Sequence, residues 1–319
     1  MTKVLCFGGG NAITKVVLPE LKKRGHDVTS VTSMVDSGGS TGQLRADFKI
    51  LSPGDIRRHL IALSDAPRWK KDLFAFRFGR EVFDGGHKGH SFGNVFLGGL
   101  QHVHGDYSKV LDIAHEFLEV KGRCLPATIE ITDIVGLLDN GKEAVSEDEI
   151  DVPKNHSPDS KIVKAYLRPE VKAYPETLKA IEEAEMIIIG PGDMYSSMVP
   201  CILPKGIKEA LQKSKAKKIF ICPAMAKRGE THWYTVVGQA KELERYMGCE
   251  FDLVIYNTAK PSKERIEEHQ KEEPLHIGIV PFDDVPKGGK FVGKDILTTE
   301  GMVVYDPEKV MAVVLGEGK

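Results

Sequence analysis

The chain has 319 residues, 41% of them hydrophobic and 28% charged, with a formal net charge of −2 and a pI near 6.6. That length and apolar content suit one large or two modest domains whose core needs neither disulfides nor metal, and the charge balance leaves no broad basic field for nucleic acid. No secretory leader pattern and no apolar run of membrane-spanning length occurs, so the expectation is a cytoplasmic protein without a membrane partner.

In chain order, Lys3-Val4-Leu5-Cys6-Phe7 reads as a strand that ends on Gly8-Gly9-Gly10. A helical pattern follows over about 14–24, then a second apolar run over 28–35. That run closes on the loop Asp36-Ser37-Gly38-Gly39-Ser40-Thr41-Gly42-Gln43-Leu44-Arg45. Pro53-Gly54-Asp55-Ile56-Arg57-Arg58 opens another helix, with Asp55 as a candidate cap. Gly89-His90-Ser91-Phe92-Gly93-Asn94 leads into a helix over 91–103, Ser91 being a candidate N-cap and His87 a neighbour in the polar loop. A helix over 107–118 comes next.

Residues 125–174 break the rhythm, with Thr128-Ile129-Glu130-Ile131-Thr132, the hairpin-type turn Asp139-Asn140-Gly141-Lys142 and the run Ile162-Val163-Lys164-Ala165-Tyr166-Leu167. They predict a small antiparallel β subdomain. Beyond it, helices are expected over 175–183, 204–214 and 236–247, and strands over 184–189, 218–222 and 251–256. The Gly-, Pro- and Asp-rich tail over 277–293 is expected to fold over a sheet edge before a final strand and helix over 302–315. Met186-Ile187-Ile188-Ile189 lacks alternation, as a strand covered on both faces does. The fold class is therefore α/β: a Rossmann-like, doubly wound, mostly parallel sheet in a single domain over 1–319, with the β subdomain inserted at 125–174.

Ligands of such sheets bind at the carboxyl ends of the strands, where the glycine turns fall. Glycine lets backbone N–H groups converge on an anion, and helix N-termini add partial positive charge. Gly8, Gly9, Gly10 and Asn11 form one candidate wall. Asp36, Ser37, Gly38, Gly39, Ser40, Thr41 and Arg45 offer hydroxyls, amides, a guanidinium and an acid. Asp36 is also a candidate Mg²⁺ ligand, because Mg²⁺ takes one or two carboxylates plus phosphate oxygens. Asp55, Arg57, His90, Ser91 and Asn94 add donors, and His90 is an acid–base candidate. After the most apolar strand, Gly190-Pro191-Gly192-Asp193-Met194-Tyr195-Ser196-Ser197 repeats the pattern, with Asp193 a metal, ribose or base candidate and Tyr195 and Ser196 on the same rim. Tyr234 is a candidate for stacking on a base. A tight turn, a polar loop or an ordinary helix cap would explain each motif singly.

Other chemistries find less support. Ile13 stands where G-x-G-x-x-G needs glycine, and the P-loop, G-x-S-x-G and H-E-x-x-H patterns do not occur. The five cysteines (Cys6, Cys124, Cys201, Cys222, Cys249) lie in apolar segments without C-x-x-C spacing and read as buried, reduced thiols. A dinucleotide oxidoreductase would need Asp36 as its ribose acceptor.

The ordered set — the Gly8 turn, the Asp36 to Arg45 loop, Pro53-Gly54-Asp55-Ile56-Arg57, Gly89 to Asn94, Leu125-Pro126-Ala127-Thr128, Gly190 to Ser197 and Gly229-Glu230-Thr231 — resembles the gluconeogenesis factor (YvcK-like) family, a relative of 2-phospho-L-lactate transferase (CofD). The resemblance spans nearly the whole chain. It implies a cytoplasmic Rossmann-like protein that binds a UDP-sugar such as UDP-N-acetylglucosamine and serves carbon metabolism, cell shape and cell-wall synthesis. The transferase branch implies an alternative: Mg²⁺-assisted transfer of a phospholactyl or phosphoenolpyruvyl group from a guanosine diphosphate carrier to a deazaflavin, with Asp36, His90 and Asp193 as catalytic candidates. The Gly-Gly-Ser-Thr-Gly-Gln-Leu-Arg loop resembles the first branch. Two departures from the family pattern stand out. Asn11 and Ala12 replace Thr-Gly after the first turn, and Ser37 replaces the second of two acids. A homodimer is the expected assembly for this architecture.

Overall fold

A computed structural model describes residues 1–79 and 89–317, so His87 lies outside the described residues. Its strands are β1 (Lys3–Phe7), β2 (Asp27–Thr32), β3 (Arg123–Pro126), β4 (Asp133–Leu138), β5 (Glu143–Val145), β6 (Ile162–Arg168), β7 (Met186–Ile189), β8 (Lys217–Ile221), β9 (Met225–Lys227), β10 (Leu253–Asn257), β11 (His276–Ile279) and β12 (Phe291–Lys294). Seven of them form one parallel sheet in the order β12-β10-β8-β7-β1-β2-β3. The chain winds outward from β1 through β2 to β3. It then returns to β7, beside β1, and winds the other way through β8 and β10 to β12. Right-handed crossovers put the helices of the two half-sheets on opposite faces. Helices Pro175–Glu183, Ile207–Lys213 and Val236–Met247 make one layer, and Leu18–Lys23, Gly54–Leu63 and Pro307–Leu315 the other. Ile187, Ile188 and Ile189 are fully buried between them, which is why β7 has no polar face.

The inserted sheet is present, with the antiparallel order β5-β4-β6. Its hairpin turns at Asn140, whose Oδ1 accepts the N–H of Lys142 at 3.0 Å. Two details differ from expectation. Arg123–Pro126 pairs with β2 in the main sheet, so the chain leaves that sheet only after Pro126. Residues 128–132 form no strand, and Ile129 and Ile131 are exposed. Their alternation signalled a strand, but the chain there is only crossing from the main sheet to β4. The tail also does more than fold over an edge. β11 pairs antiparallel with β9, and β12 is the outermost strand of the main sheet. Of the final strand and helix expected over 302–315, the strand is reduced to a bridge between Leu297 and Tyr305, ahead of helix Pro307–Leu315. Among the described residues no helix is long and apolar enough to cross a membrane.

The small sheet is held to the main body by Tyr246 of helix Val236–Met247, whose hydroxyl accepts the N–H of Ala165 on β6 at 2.7 Å. Tyr246→Phe leaves that amide without a partner, which costs about 1–3 kcal/mol. Urea denaturation should show that loss, and stability equal to wild type would contradict the tether.

Candidate functional site

The pairing of β1 with β7 marks the topological switch point, and a cleft opens where loops diverge from the carboxyl ends of adjacent, oppositely wound strands. Four loops with chemistry-bearing residues meet there.

Gly8, Gly9 and Gly10 leave β1 buried. The turn is crowded: a Cβ on Gly9 would lie 2.5 Å from Ser197 Oγ, and one on Gly10 2.5 Å from Asp55 Oδ1 and 2.7 Å from Arg58 Cδ. Only glycine admits those neighbours. Asn11 is exposed, and its side chain caps no helix amide. The stretch read as a second loop is helical from Gly39, so Gly39–Phe48 starts at the cleft with Gly38 as its cap. Asp36 Oδ1 accepts the Gly38 N–H at 3.0 Å. The other oxygen of Asp36, with Thr41 Oγ1, sits so close over Gly54 that a side chain there would collide.

Asp55 lies inside the first turn of Gly54–Leu63 and does not cap it. Its ion-pair partner is Arg58, at 3.4 Å, and Arg57 turns instead to Asn94, whose Oδ1 accepts the Arg57 Nε–H at 2.9 Å. Asn94 also reaches Thr41 Oγ1 at 3.4 Å, and Ser40 Oγ meets His90 Nδ1 at 2.8 Å. Ser91 does cap its helix, accepting the Asn94 N–H at 3.2 Å. Motifs far apart in sequence are thus joined by side-chain hydrogen bonds. Arg45 points away from the cleft. It donates to the carbonyls of Val35, Asp36 and Thr132 and to Asp133 at 2.9–3.2 Å, which ties the Asp36 loop to the start of β4.

On the β7 side the motif divides. Gly190, at φ +81°, donates its N–H to Phe7 O at 2.9 Å, followed by Pro191 and Gly192. Asp193 accepts from Lys227 at 2.9 Å. Tyr195 and Ser196 do not face the cleft. Tyr195 is fully buried, and its hydroxyl donates to Glu242 at 2.7 Å and lies 3.3 Å from that of Tyr234. The Ser196 hydroxyl donates to Glu230 at 2.8 Å. Glu230 also accepts the N–H groups of Tyr195 and Ser196 at 2.6 and 3.1 Å, satisfying amides at the start of helical turn Met194–Met198. The hydroxyl facing the glycine turn is that of Ser197. Tyr234 is half-buried, with Lys161 Nζ 4.9 Å from its ring centre, so one ring face already carries a cation.

Several residues of the cleft carried no sequence signal that singled them out. Helix Glu147–Asp151 of the inserted sheet reaches across the rim. Glu147 Oε2 accepts the Ser37 N–H at 3.2 Å, Ser37 Oγ accepts the Asp148 N–H at 3.0 Å, and Asp151 pairs with Lys227. Its acidic run was the available clue. Lys227, 6% exposed, sits among Asp151, Asp193 and Glu230, the last at 3.0 Å.

The electrostatics follow from burial. Burial, then the nearby Asp36 charge, pushes Asp55 up to about 7 although Arg58 and the Gly10 N–H favour its ionised form. Burial also raises Asp36, and burial followed by Asp36, Asp151 and Asp55 raises Glu147 well above the usual carboxylate range. Burial works against the Lys227 charge, but Asp193, Glu230 and Asp151 outweigh it and keep the ammonium protonated. Burial likewise opposes the charge of Asp193, yet Lys227 and His276 hold its carboxyl below the usual value. Burial, then the Arg58 charge, lowers Arg57 to about 10. The three acids around Lys227 have metal-like spacing, within 4.8 Å of one another, but the Lys227 ammonium already sits among them. The hard oxygens of Asp36 and Asp55, near enough for each charge to affect the other, are the donors that suit Mg²⁺.

Asp55→Asn keeps an acceptor for the Gly10 N–H and removes a charge. The folded state holds the Asp55 proton more tightly than the unfolded chain does, so this group's stabilising contribution is complete below about pH 3.9 and is lost as pH rises through about 7. The variant should therefore gain on wild type by ~1 kcal/mol or more at pH 8, the gain vanishing towards pH 4. Thermal unfolding across that range checks this, and a difference independent of pH would contradict it.

Comparison with known proteins matches this geometry to a family. The model of the family described as 2-phospho-L-lactate transferase CofD matches residues 4–286. A protein of Thermotoga maritima assigned provisionally as a gluconeogenesis factor is 38% identical, over 99% of this chain and 93% of its own. The gluconeogenesis factor of Bacillus subtilis is 33% identical, over 98% of this chain and 97% of its own. A crystal structure of a UPF0052-family protein from Bacillus halodurans superposes with a TM-score of 0.89 at 30% identity, covering 98% of this chain and 99% of that one. The chain belongs to the CofD family, in company with the gluconeogenesis factors.

Proposed function

We propose that the chain binds a nucleotide diphosphate ligand, a UDP-sugar of the UDP-N-acetylglucosamine kind, in the switch-point cleft. On this reading it acts as a cytoplasmic, homodimeric regulatory protein of carbon metabolism, cell shape and cell-wall synthesis, of the gluconeogenesis factor type. The observation that carries the reading is the meeting of the Gly8 turn, the start of helix Gly39–Phe48, Arg58 and Ser197 at one point on the rim. Backbone amides, a helix N-terminus, a guanidinium and a hydroxyl are the groups that recognise a diphosphate.

A divalent cation belongs to the same reading. Burial, with their mutual interaction at Asp55 and Glu147, holds the carboxyls of Asp36, Asp55 and Glu147 above their usual range, and a diphosphate would bring full negative charge beside them. Mg²⁺ held by Asp36 and Asp55 would supply the missing positive charge.

A second reading draws on the transferase name of the family model. Here the same cleft holds a guanosine diphosphate carrier and passes a phospholactyl or phosphoenolpyruvyl group to a deazaflavin. Asp193, salt-bridged to Lys227, and His90, hydrogen-bonded to Ser40, are both already engaged by neighbours.

Calorimetric titration with UDP-N-acetylglucosamine, UDP and GDP in the presence of Mg²⁺ tests the first reading, which fails if none of them binds. Formation of a phosphorylated deazaflavin product would favour the second. Arg58→Ala should weaken UDP-N-acetylglucosamine about tenfold or more, the cost of one charge-assisted contact. Asp36→Ala should weaken it in Mg²⁺ and have little effect in chelator. Wild-type affinity in both variants would place the ligand elsewhere.

A further inference from the structure

Three amides that face the cleft are engaged by carboxyl groups of the chain itself. Gly10 N–H goes to Asp55, Gly38 N–H to Asp36 and Ser37 N–H to Glu147. Asp36 and Asp55 belong to rim loops of the main sheet. Glu147 arrives from the inserted sheet, 110 positions along the chain from Ser37. It enters a place where Asp36 and Asp55 already repel it, and its hydrogen bond there is to one backbone amide. The helix that carries it is fastened at its two ends to different halves of the rim. Asp148 N–H donates to Ser37 Oγ on the β2 side, while Asp151 pairs with Lys227 on the β7 side. The Lys227 end is an ion pair to a buried ammonium, and the Ser37 end is two hydrogen bonds beside other acids. The second end is the weaker.

We infer that Glu147 is an internal stand-in for a ligand oxygen: the Ser37 amide belongs to the anion seat, and a phosphate or diphosphate group entering it displaces the Glu147 carboxyl group and frees the Glu147 end of helix Glu147–Asp151. This deepens the nucleotide reading and rests on it for the identity of the ligand. The Ser37 amide keeps an acceptor throughout, because a phosphate oxygen takes the place of the Glu147 carboxyl oxygen. It makes the short acidic helix a reporter of ligand occupancy, pivoting on the Asp151–Lys227 pair.

The test uses inorganic diphosphate with Mg²⁺ as probe, alongside UDP. Isothermal titration is run on wild type, Glu147→Ala and the near-isosteric Glu147→Gln, each first checked for wild-type circular dichroism. Loss of the competing acceptor in Glu147→Ala should tighten diphosphate binding about fivefold or more, the worth of one hydrogen bond, while Glu147→Gln keeps an acceptor oxygen and stays nearer wild type. Hydrogen exchange supplies the second readout. Amides of 147–151 in wild type should exchange faster when diphosphate saturates the protein, whereas an ordinary ligand roof would be slowed. Unchanged or weaker binding in Glu147→Ala, slower exchange at 147–151, or no diphosphate binding by any of the three proteins would overturn the inference. Tighter diphosphate binding without any affinity for UDP or GDP would uphold it and overturn the nucleotide reading instead.

Discussion

Pairing of β1 with β7 joins two half-sheets that wind outward in opposite directions. Gly190 N–H donates to Phe7 O at 2.9 Å and extends that pairing to the last residue before the loops part. Because the following chain turns to opposite faces, no helix can cover the junction. The cleft is thus a consequence of strand order. Its lining is then selected by sterics: Gly9 and Gly10 let Ser197, Asp55 and Arg58 come close enough to close the floor.

Charge is the second organising feature, and it is distributed unevenly. On the β7 side, Lys227 balances part of the charge of Asp151, Asp193 and Glu230, and Glu230 also takes up the amides at the start of Met194–Met198. Removing one partner from such a buried group leaves an uncompensated charge, which is far costlier than losing a surface pair. That cluster reads as architecture. On the β2 side, burial raises the carboxyl pKa values of Asp36, Asp55 and Glu147, and neighbouring acids add to the rise at Asp55 and Glu147. Acids so perturbed, gathered in a cleft, are what a bound cation would bring to their ionised form.

The inserted sheet connects these two regions. Arg45 holds the start of β4 to the Asp36 loop, Tyr246 holds β6 to the main body, and helix Glu147–Asp151 spans the rim between Ser37 and Lys227. An element that looks peripheral in the sheet order therefore supplies residues to the middle of the cleft.

What the sequence determined by itself was whatever short-range patterning dictates. The unbroken apolar run Met186-Ile187-Ile188-Ile189 announced a strand buried on both faces, glycine turns marked the carboxyl rim, and Asp139-Asn140-Gly141 marked the hairpin of the insertion. The four-residue β3 escaped notice because it is too short to show a period, and residues 128–132 misled because alternation without a pairing partner makes no strand. In the candidate site, the loops were legible and their inward or outward sense was not. Ser196 and Ser197 are adjacent and chemically alike, and only the position of Glu230, 34 residues from Ser196, decides that the first turns inward while the second faces Gly9. Glu147, Asp151 and Lys227 were invisible as site residues for the same reason. Their roles come from through-space charge between segments far apart in the chain, and such contacts leave no period or spacing in the sequence.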